Sequence, residues 1–224
     1  MTGKLRAGML LVLGCSSAAQ PLGDAGTGVE SSSCAPREPA TFAEACPAVS
    51  AAPLDPQTAS MRLDRGPEGL AALREDLRKH YQSWLTISAS QSCGYDYVLR
   101  TNSVFGPWCQ TELQVRSDRV VSRRQWEGAR DDPAGKLVFE EAGAAVGSRP
   151  GCHEPLTLER QFARCWNEVL CQSPATNDLY LRFGNDEMLA VCAYQPRDCF
   201  DNCSNGVVIT RVVFVDAQGR PTGR

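Results

Sequence analysis

Histidine is nearly absent from this sequence: the 224 residues carry two, His80 and His153. Metal-assisted hydrolysis wants two or three nearby imidazoles or carboxylates, and the H-E-x-x-H arrangement is missing. No two of the eleven cysteines stand in a C-x-x-C spacing. That removes together the thioredoxin-type redox motif, the common zinc-knuckle spacing and the haem-attachment motif. There is no G-x-S-x-G and no phosphate-cradling glycine motif. No apolar run approaches the ~20 residues of a membrane-spanning helix. Positive charge is not in excess: 23 Lys and Arg against 26 Asp and Glu leave a formal charge of −3, with no basic stripe. A nucleic-acid partner therefore lacks its electrostatic footprint.

What the chain does have is cysteine, together with a distinctive beginning. Lys4 and Arg6 supply a short positive segment, and Met9 to Leu13 an apolar run. Gly14 then places a small residue before Cys15. This is the layout of a bacterial secretion signal, and Val12 to Cys15 resembles the lipobox of lipoproteins. The resemblance implies that the Cys15 thiol is acylated and becomes the new N-terminus after cleavage. Leu13 is bulkier than the usual pattern has at its place. Removal of residues 1–14 leaves 210 residues (224 − 14), and losing Lys4 and Arg6 takes the charge to −5. The expected organisation is a signal peptide over 1–14, a lipid-anchored flexible tether over 15–66 and a single domain over 67–224. The implied location is the cell envelope, on the periplasmic or surface side of a bacterial outer membrane.

Setting Cys15 aside leaves ten cysteines, an even number that allows five bridges. In an oxidising compartment such a load reads as crosslinks. About 945 pairings are open, so spacing alone defines no connectivity. Cys34 and Cys46 sit in the tether, a stretch rich in Ala, Pro, Gly, Ser and Thr with few large apolar residues. The favoured arrangement there is a local clip between them. The alternative is that either cysteine staples the tether onto the domain.

Gly66 and Pro67 open the folded part, since proline suits the first helical position. Leu70, Leu73, Leu77, Tyr81 and Trp84 then recur at three- and four-residue steps, one apolar stripe on a helix. Ser88 to Ser92 is expected to end it, with His80 beside the stripe as a surface or edge residue. Alternation takes over from 94 to 101, and Phe105 to Pro107 reads as a turn or bulge. Thr111, Leu113 and Val115 belong to a strand that reverses at Ser117 and Asp118 into Arg119 to Trp126. Lys136 to Phe139 fits a short edge strand or one helical turn. Thr157 is an N-cap with Glu159 in the first turn, and Leu158, Phe162, Cys165, Trp166 and Val169 form a second helical stripe. Leu179 to Phe183 and Met188 to Tyr194 make a second hairpin about Gly184 and Asn185. Val207 to Val215 reads as a central, doubly buried strand.

The expected fold is α+β: an antiparallel sheet of five to six strands with two helices, stabilised by disulfides. It divides into two helix-plus-three-strand repeats if the offset of 85 linking Leu73, Leu77, Tyr81 and Leu85 to Leu158, Phe162, Trp166 and Leu170 is structural. The lipobox, Trp84 ending a helix, Tyr95 and Tyr97, the stretch from Val115 to Val120, and Thr157, Glu159 and Phe162 at a helix start together resemble a family of small uncharacterised bacterial lipoproteins. The resemblance spans roughly residues 70–215, departs at a cysteine-rich insertion over 192–206, and implies location and fold without an activity.

Candidates for chemistry are few. Cys152, His153 and Glu154 set a thiol beside a base, yet adjacent residues rarely point at each other and other cysteines compete to oxidise Cys152. The pairs Asp131 and Asp132, Glu140 and Glu141, and Asp186 and Glu187 read as solvated charge. Asp198, Asp201 and Asn205 form an oxygen-rich loop pinned by Cys199 and Cys203, but EF-hand spacing is not met. Trp108, Trp126 and Tyr194 are candidates for an exposed aromatic face, with core packing as the simpler explanation.

The functional expectation is a non-catalytic envelope lipoprotein with a disulfide-rich binding or assembly domain, needing no cofactor and no metal. Its partners are the membrane, through lipid on Cys15, and an envelope protein or glycan ligand. The alternative is a secreted inhibitor or ligand-binding module, because two helix-plus-sheet layers resemble the architecture of secreted β-lactamase inhibitory proteins. A secreted enzyme would need a polar cleft around His153.

Overall fold

Pro67 starts the first helix, α1 (Pro67–Gln91), in the computed structural model, which describes residues 39–44, 46, 67–91, 93–101, 107–184, 187–199 and 204–222. Leu77, Tyr81 and Trp84 are buried along one side of α1, with Leu70 and Leu73 half-buried above them. The helix runs on through Ser88 to Gln91, where the sequence reading ends it. Ser88 faces the core, and its hydroxyl donates back to the Leu85 carbonyl at 3.1 Å; Ser90 does the same to Ile87 at 2.9 Å. These back-bonds satisfy polar groups within the helix that would otherwise favour a turn.

Among the described residues seven strands form one antiparallel sheet, not five to six: β1 (Gly94–Thr101), β2 (Trp108–Arg116), β3 (Arg119–Gly128), β4 (Lys136–Ala142), β5 (Asn177–Phe183), β6 (Leu189–Pro196) and β7 (Asn205–Val215). Their order is β4-β3-β2-β1-β7-β6-β5. The underestimate comes from β4, whose brief alternation of Leu137, Phe139 and Glu141 is a true strand paired with β3. Ser117 and Asp118 both take positive φ, 46° and 63°, at the β2–β3 turn. That conformation matches the twist of a two-residue hairpin without the usual Asn-Gly.

β7 is central, between β1 and β6, but it is not doubly buried. Val207, Ile209 and Phe214 face the core, whereas Val208, Thr210 and Arg211 are exposed. The helices cover one side of the sheet and leave the other to solvent. Across that open side Glu140, Arg124 and Glu112 follow one another on β4, β3 and β2, and Arg211 on β7 lies beyond Val98 of β1. Arg124 pairs with Glu140 at 2.9 Å and Arg211 with Glu112 at 3.5 Å.

Thr157 caps the second helix, α2 (Leu158–Arg164), accepting from the Arg160 N–H at 3.4 Å. The stripe then continues in a π-helical turn, Cys165–Val169, whose wider spacing keeps Cys165, Trp166 and Val169 all buried. Both helices join one hydrophobic core with the inner residues of β1, β2, β6 and β7. The repeat is not a structural one. From the centre outward the first half lays down β1, β2, β3, while the second arrives inward as β5, β6, β7 with opposite strand directions. Superposing them needs a rotation that would carry α2 to the other side of the sheet.

Residues 39–44 and Cys46, read as part of the tether, pack on the helices. Phe42 stacks on Trp166 with centroids 4.9 Å apart and meets Tyr81 edge-on. Trp166 Nε1 donates to the Ala43 carbonyl at 2.8 Å, and the Ala43 N–H donates to Asn167 at 2.8 Å. Cys46 bonds Cys171, which corrects the expected Cys34–Cys46 clip. Cys165–Cys192 ties the π-helical turn to β6, and Cys109–Cys152 ties β2 to the loop before α2. Cys93 and Cys199 are disulfide-bonded as well. The signal segment, Cys15, Cys34, Phe105, Gly106, Asn185, Asp186, Asp201 and Cys203 lie outside the described residues, so the anchor and the oxygen-rich loop are not addressed by the fold.

Candidate functional site

Where α1 and α2 stop, the loop from Gly143 to Thr157 takes over as the cover of the inner sheet surface. It lies on a set of buried polar side chains: Thr111 on β2, Arg123 and Gln125 on β3, and Glu141 on β4. Arg123 and Glu141 are each 2% exposed and pair at 3.4 Å. Arg123 also donates to the carbonyls of Arg149 at 3.0 Å and His153 at 2.7 Å. Glu141 accepts from the N–H groups of Gly147 at 2.8 Å and Arg149 at 2.7 Å, and from the Ser148 hydroxyl. Burial alone would raise the Glu141 carboxyl; these donors and the Arg123 charge outweigh it and hold the group below its ordinary value. Glu141 is thus not the solvated charge the sequence suggested, although Glu140 beside it is exposed.

Gly151 is required for this approach. A Cβ there would stand 2.3 Å from the Gln125 side-chain oxygen and collide with the Arg123 guanidinium. The Cys152 N–H donates to that same Gln125 oxygen at 3.1 Å.

His153, 8% exposed, lies at the centre of the cover. Its Nε2 is 2.8 Å from the Thr101 hydroxyl and its Nδ1 2.9 Å from the Thr111 hydroxyl. Burial, with the Arg123 and Arg164 charges, lowers its pKa to about 4. The imidazole is neutral near pH 7, and so weak a base does little to deprotonate Thr101. Adjacent residues do point at each other here, contrary to the expectation: Cys152 Sγ is 3.3 Å from His153 Nδ1. The sulfur is oxidised, however, in the bridge to Cys109. Glu154 stays exposed and pairs with Arg164 at 3.6 Å, so the three consecutive residues do not converge.

A second polar set fastens α2 to the rest. Glu159, expected merely to favour the helix start, is buried and accepts from Trp84 Nε1 at 3.0 Å and the Tyr95 hydroxyl at 2.9 Å. Tyr95 in turn accepts from the Leu158 N–H at 2.7 Å. Burial and the Glu159 charge push Tyr95 well above the ordinary phenol range, and burial does the same to Tyr97. The sequence signal was available, a Tyr-x-Tyr strand and a carboxylate at a helix start, but nothing in it says that they meet.

The three aromatic candidates do not share a surface. Trp108 is buried on the open side under the β3–β4 loop, donating to the Asp132 carbonyl at 2.9 Å. Asp132 meanwhile caps the N–H groups of Ala134 and Gly135. Trp126 is half-buried on the open side, and Tyr194 packs against the core on the helix side. His80 is at an edge, stacked on Phe183 with centroids 3.5 Å apart.

A cleft of about 370 Å³ runs between α1 and β5. Leu70 and Leu73 come from the helix, Asp178, Leu179, Leu181 and Arg182 from the strand, and Arg197 from the turn after β6. β5 ends the sheet, with Tyr180 44% exposed on it. Comparison of the chain with protein-family models, with curated proteins and with solved structures gives no match.

Proposed function

We propose that this chain is a lipid-anchored envelope protein whose α+β domain binds a partner rather than transforming a substrate. The observation that carries the reading is covalent: three bridges among the described residues join segments 27, 43 and 125 residues apart. Such crosslinks form and persist in oxidising compartments. The positive segment, apolar run and Cys15 support export and acylation. The buried polar groups around His153 are engaged in holding a loop, which supports a binding role over catalysis.

The recognition surface in this reading is the cleft between α1 and β5. An end strand offers backbone donors and acceptors, and the neighbouring leucines offer pockets for alternate side chains, the arrangement used in strand addition. The occupant is an extended peptide with alternating apolar residues and an acidic group for Arg182.

Two measurements test this. Metabolic labelling with a palmitate analogue should mark the wild-type chain and not Cys15→Ser; label surviving that change would remove the anchor. Selection of displayed random peptides on the full chain should enrich alternating apolar sequences whose binding is lost in Leu73→Asp and weakened in Arg182→Glu. Binding untouched by both changes would move the surface elsewhere.

A further inference from the structure

Cys109, Cys152 and His153 each offer a ligand atom within 4.8 Å of the other two. We propose that they form a latent zinc site, masked while the two cysteines are bonded to each other and opened when a dithiol reduces that bridge.

Two thiolates and one imidazole nitrogen make a donor set that zinc takes tetrahedrally, with the fourth position left open. Zinc–sulfur bonds of about 2.3 Å place the two sulfurs about 3.8 Å apart. The Cα atoms of Cys109 and Cys152 are 6.5 Å apart, near the wide end of the roughly 4.4–6.8 Å seen for bridged pairs. Rotation of the side chains therefore admits the metal without moving the backbone.

The outer shell is already in place. A metal-bound histidine presents its other ring N–H to an oxygen, which fixes tautomer and orientation. Thr101 Oγ1, 2.8 Å from Nε2, is that oxygen, leaving Nδ1 for the metal, with Thr111 Oγ1 2.9 Å and Cys152 Sγ 3.3 Å from it. Thr111 Oγ1, 2.9 Å from Nδ1 and 3.6 Å from Cys152 Sγ, is a partner for a zinc-bound water.

Opening the bridge does not free the loop that carries these donors. Arg123 keeps the carbonyls of Arg149 and His153, Glu141 keeps the Gly147 and Arg149 N–H groups, and Gln125 keeps the Cys152 N–H. Charge is balanced too. Two thiolates neutralise the cation, and the nearby Arg123 is already paired with Glu141.

The exposed residue of the pair is Cys152, so a dithiol's thiolate attacks its Sγ and the bond to Cys109 breaks. The second thiol of the reagent then displaces Cys152 and closes a disulfide within the reagent. Two electrons pass to the protein, and two protons end on Cys109 and Cys152. Zinc displaces both protons on binding.

The test uses the full chain, oxidised or treated with dithiothreitol and freed of reagent, titrated with Co²⁺ and then Zn²⁺. Alkylation of every cysteine is followed by mass spectrometry with and without zinc. The treated chain should bind one equivalent, show the visible bands of a tetrahedral cobalt–thiolate site, and alkylate at least about tenfold more slowly at Cys109 and Cys152 alone. The oxidised chain should bind none. Thr101→Val, which leaves both thiols and the bridge intact, should weaken zinc by about tenfold. Unprotected Cys109 and Cys152, or protection of other cysteines instead, would overturn the site; unchanged affinity in Thr101→Val would remove His153 from it.

Discussion

Cys46 is bonded to Cys171 across 125 residues of sequence, with Cα atoms 5.2 Å apart. The bridge pins the segment carrying Phe42 against Trp166 and Tyr81, so a stretch with the composition of a linker becomes part of the core. Loop-closure entropy for a separation of that size amounts to about 5 kcal/mol in the chain-entropy model, and measured bridges more often contribute about 2–4. The double change Cys46→Ser with Cys171→Ser should lower the unfolding free energy in guanidinium by about 2–4 kcal/mol. It should also open residues 39–46 to proteolysis while the sheet remains folded. A loss within error would mean that the packing of Phe42 holds the segment unaided.

Arg123 and Glu141 support the loop before α2 as a buried ion pair. Removing one partner leaves the other charge uncompensated, so Arg123→Ala should cost about 3–5 kcal/mol. Replacing both with apolar residues, Arg123→Met with Glu141→Leu, should cost less than that single change, because no lone buried charge remains. Denaturant titration of the wild type and the two variants measures the difference. Equal losses would show that the backbone contacts of the pair matter more than its charges.

His153 makes stability depend on pH. Its folded pKa of about 4 lies below the ordinary 6.5, so between those values the unfolded chain holds a proton that the folded chain does not. Stability from this group is full above about pH 6.5 and is lost as pH falls toward 4, by about 3 kcal/mol in all. Glu141, held below its ordinary value, adds a further loss at still lower pH. Unfolding free energies between pH 7 and 4 should fall in the wild type and fall less in His153→Gln. Parallel curves would refute the assignment.

Much of the architecture was legible because it follows local periodicity. The stripe of Leu77, Tyr81 and Trp84, the Thr157 cap and the alternation of β1, β2 and β3 all depend on neighbours in sequence. Errors arose where distant segments decide. Ser88 stays helical because the core reaches it, β4 is a strand because β3 offers an edge, and β7 is half-exposed because both helices lie on one side. The polar clusters were the least legible. Glu141 in a loop-like Glu-Glu pair and Glu159 in a first turn look like surface charge, and their burial depends on Arg123 and Trp84, 18 and 75 residues away. The bridge between Cys109 and Cys152 is equally a product of tertiary pairing, since spacing leaves every partner open.

The central claim is that this domain is built and kept in an oxidising compartment, and peptide mapping of the unreduced native protein tests it most directly. The account predicts disulfide-linked peptides joining Cys46 to Cys171, Cys109 to Cys152 and Cys165 to Cys192. Native protein carrying those six cysteines as free thiols would contradict it.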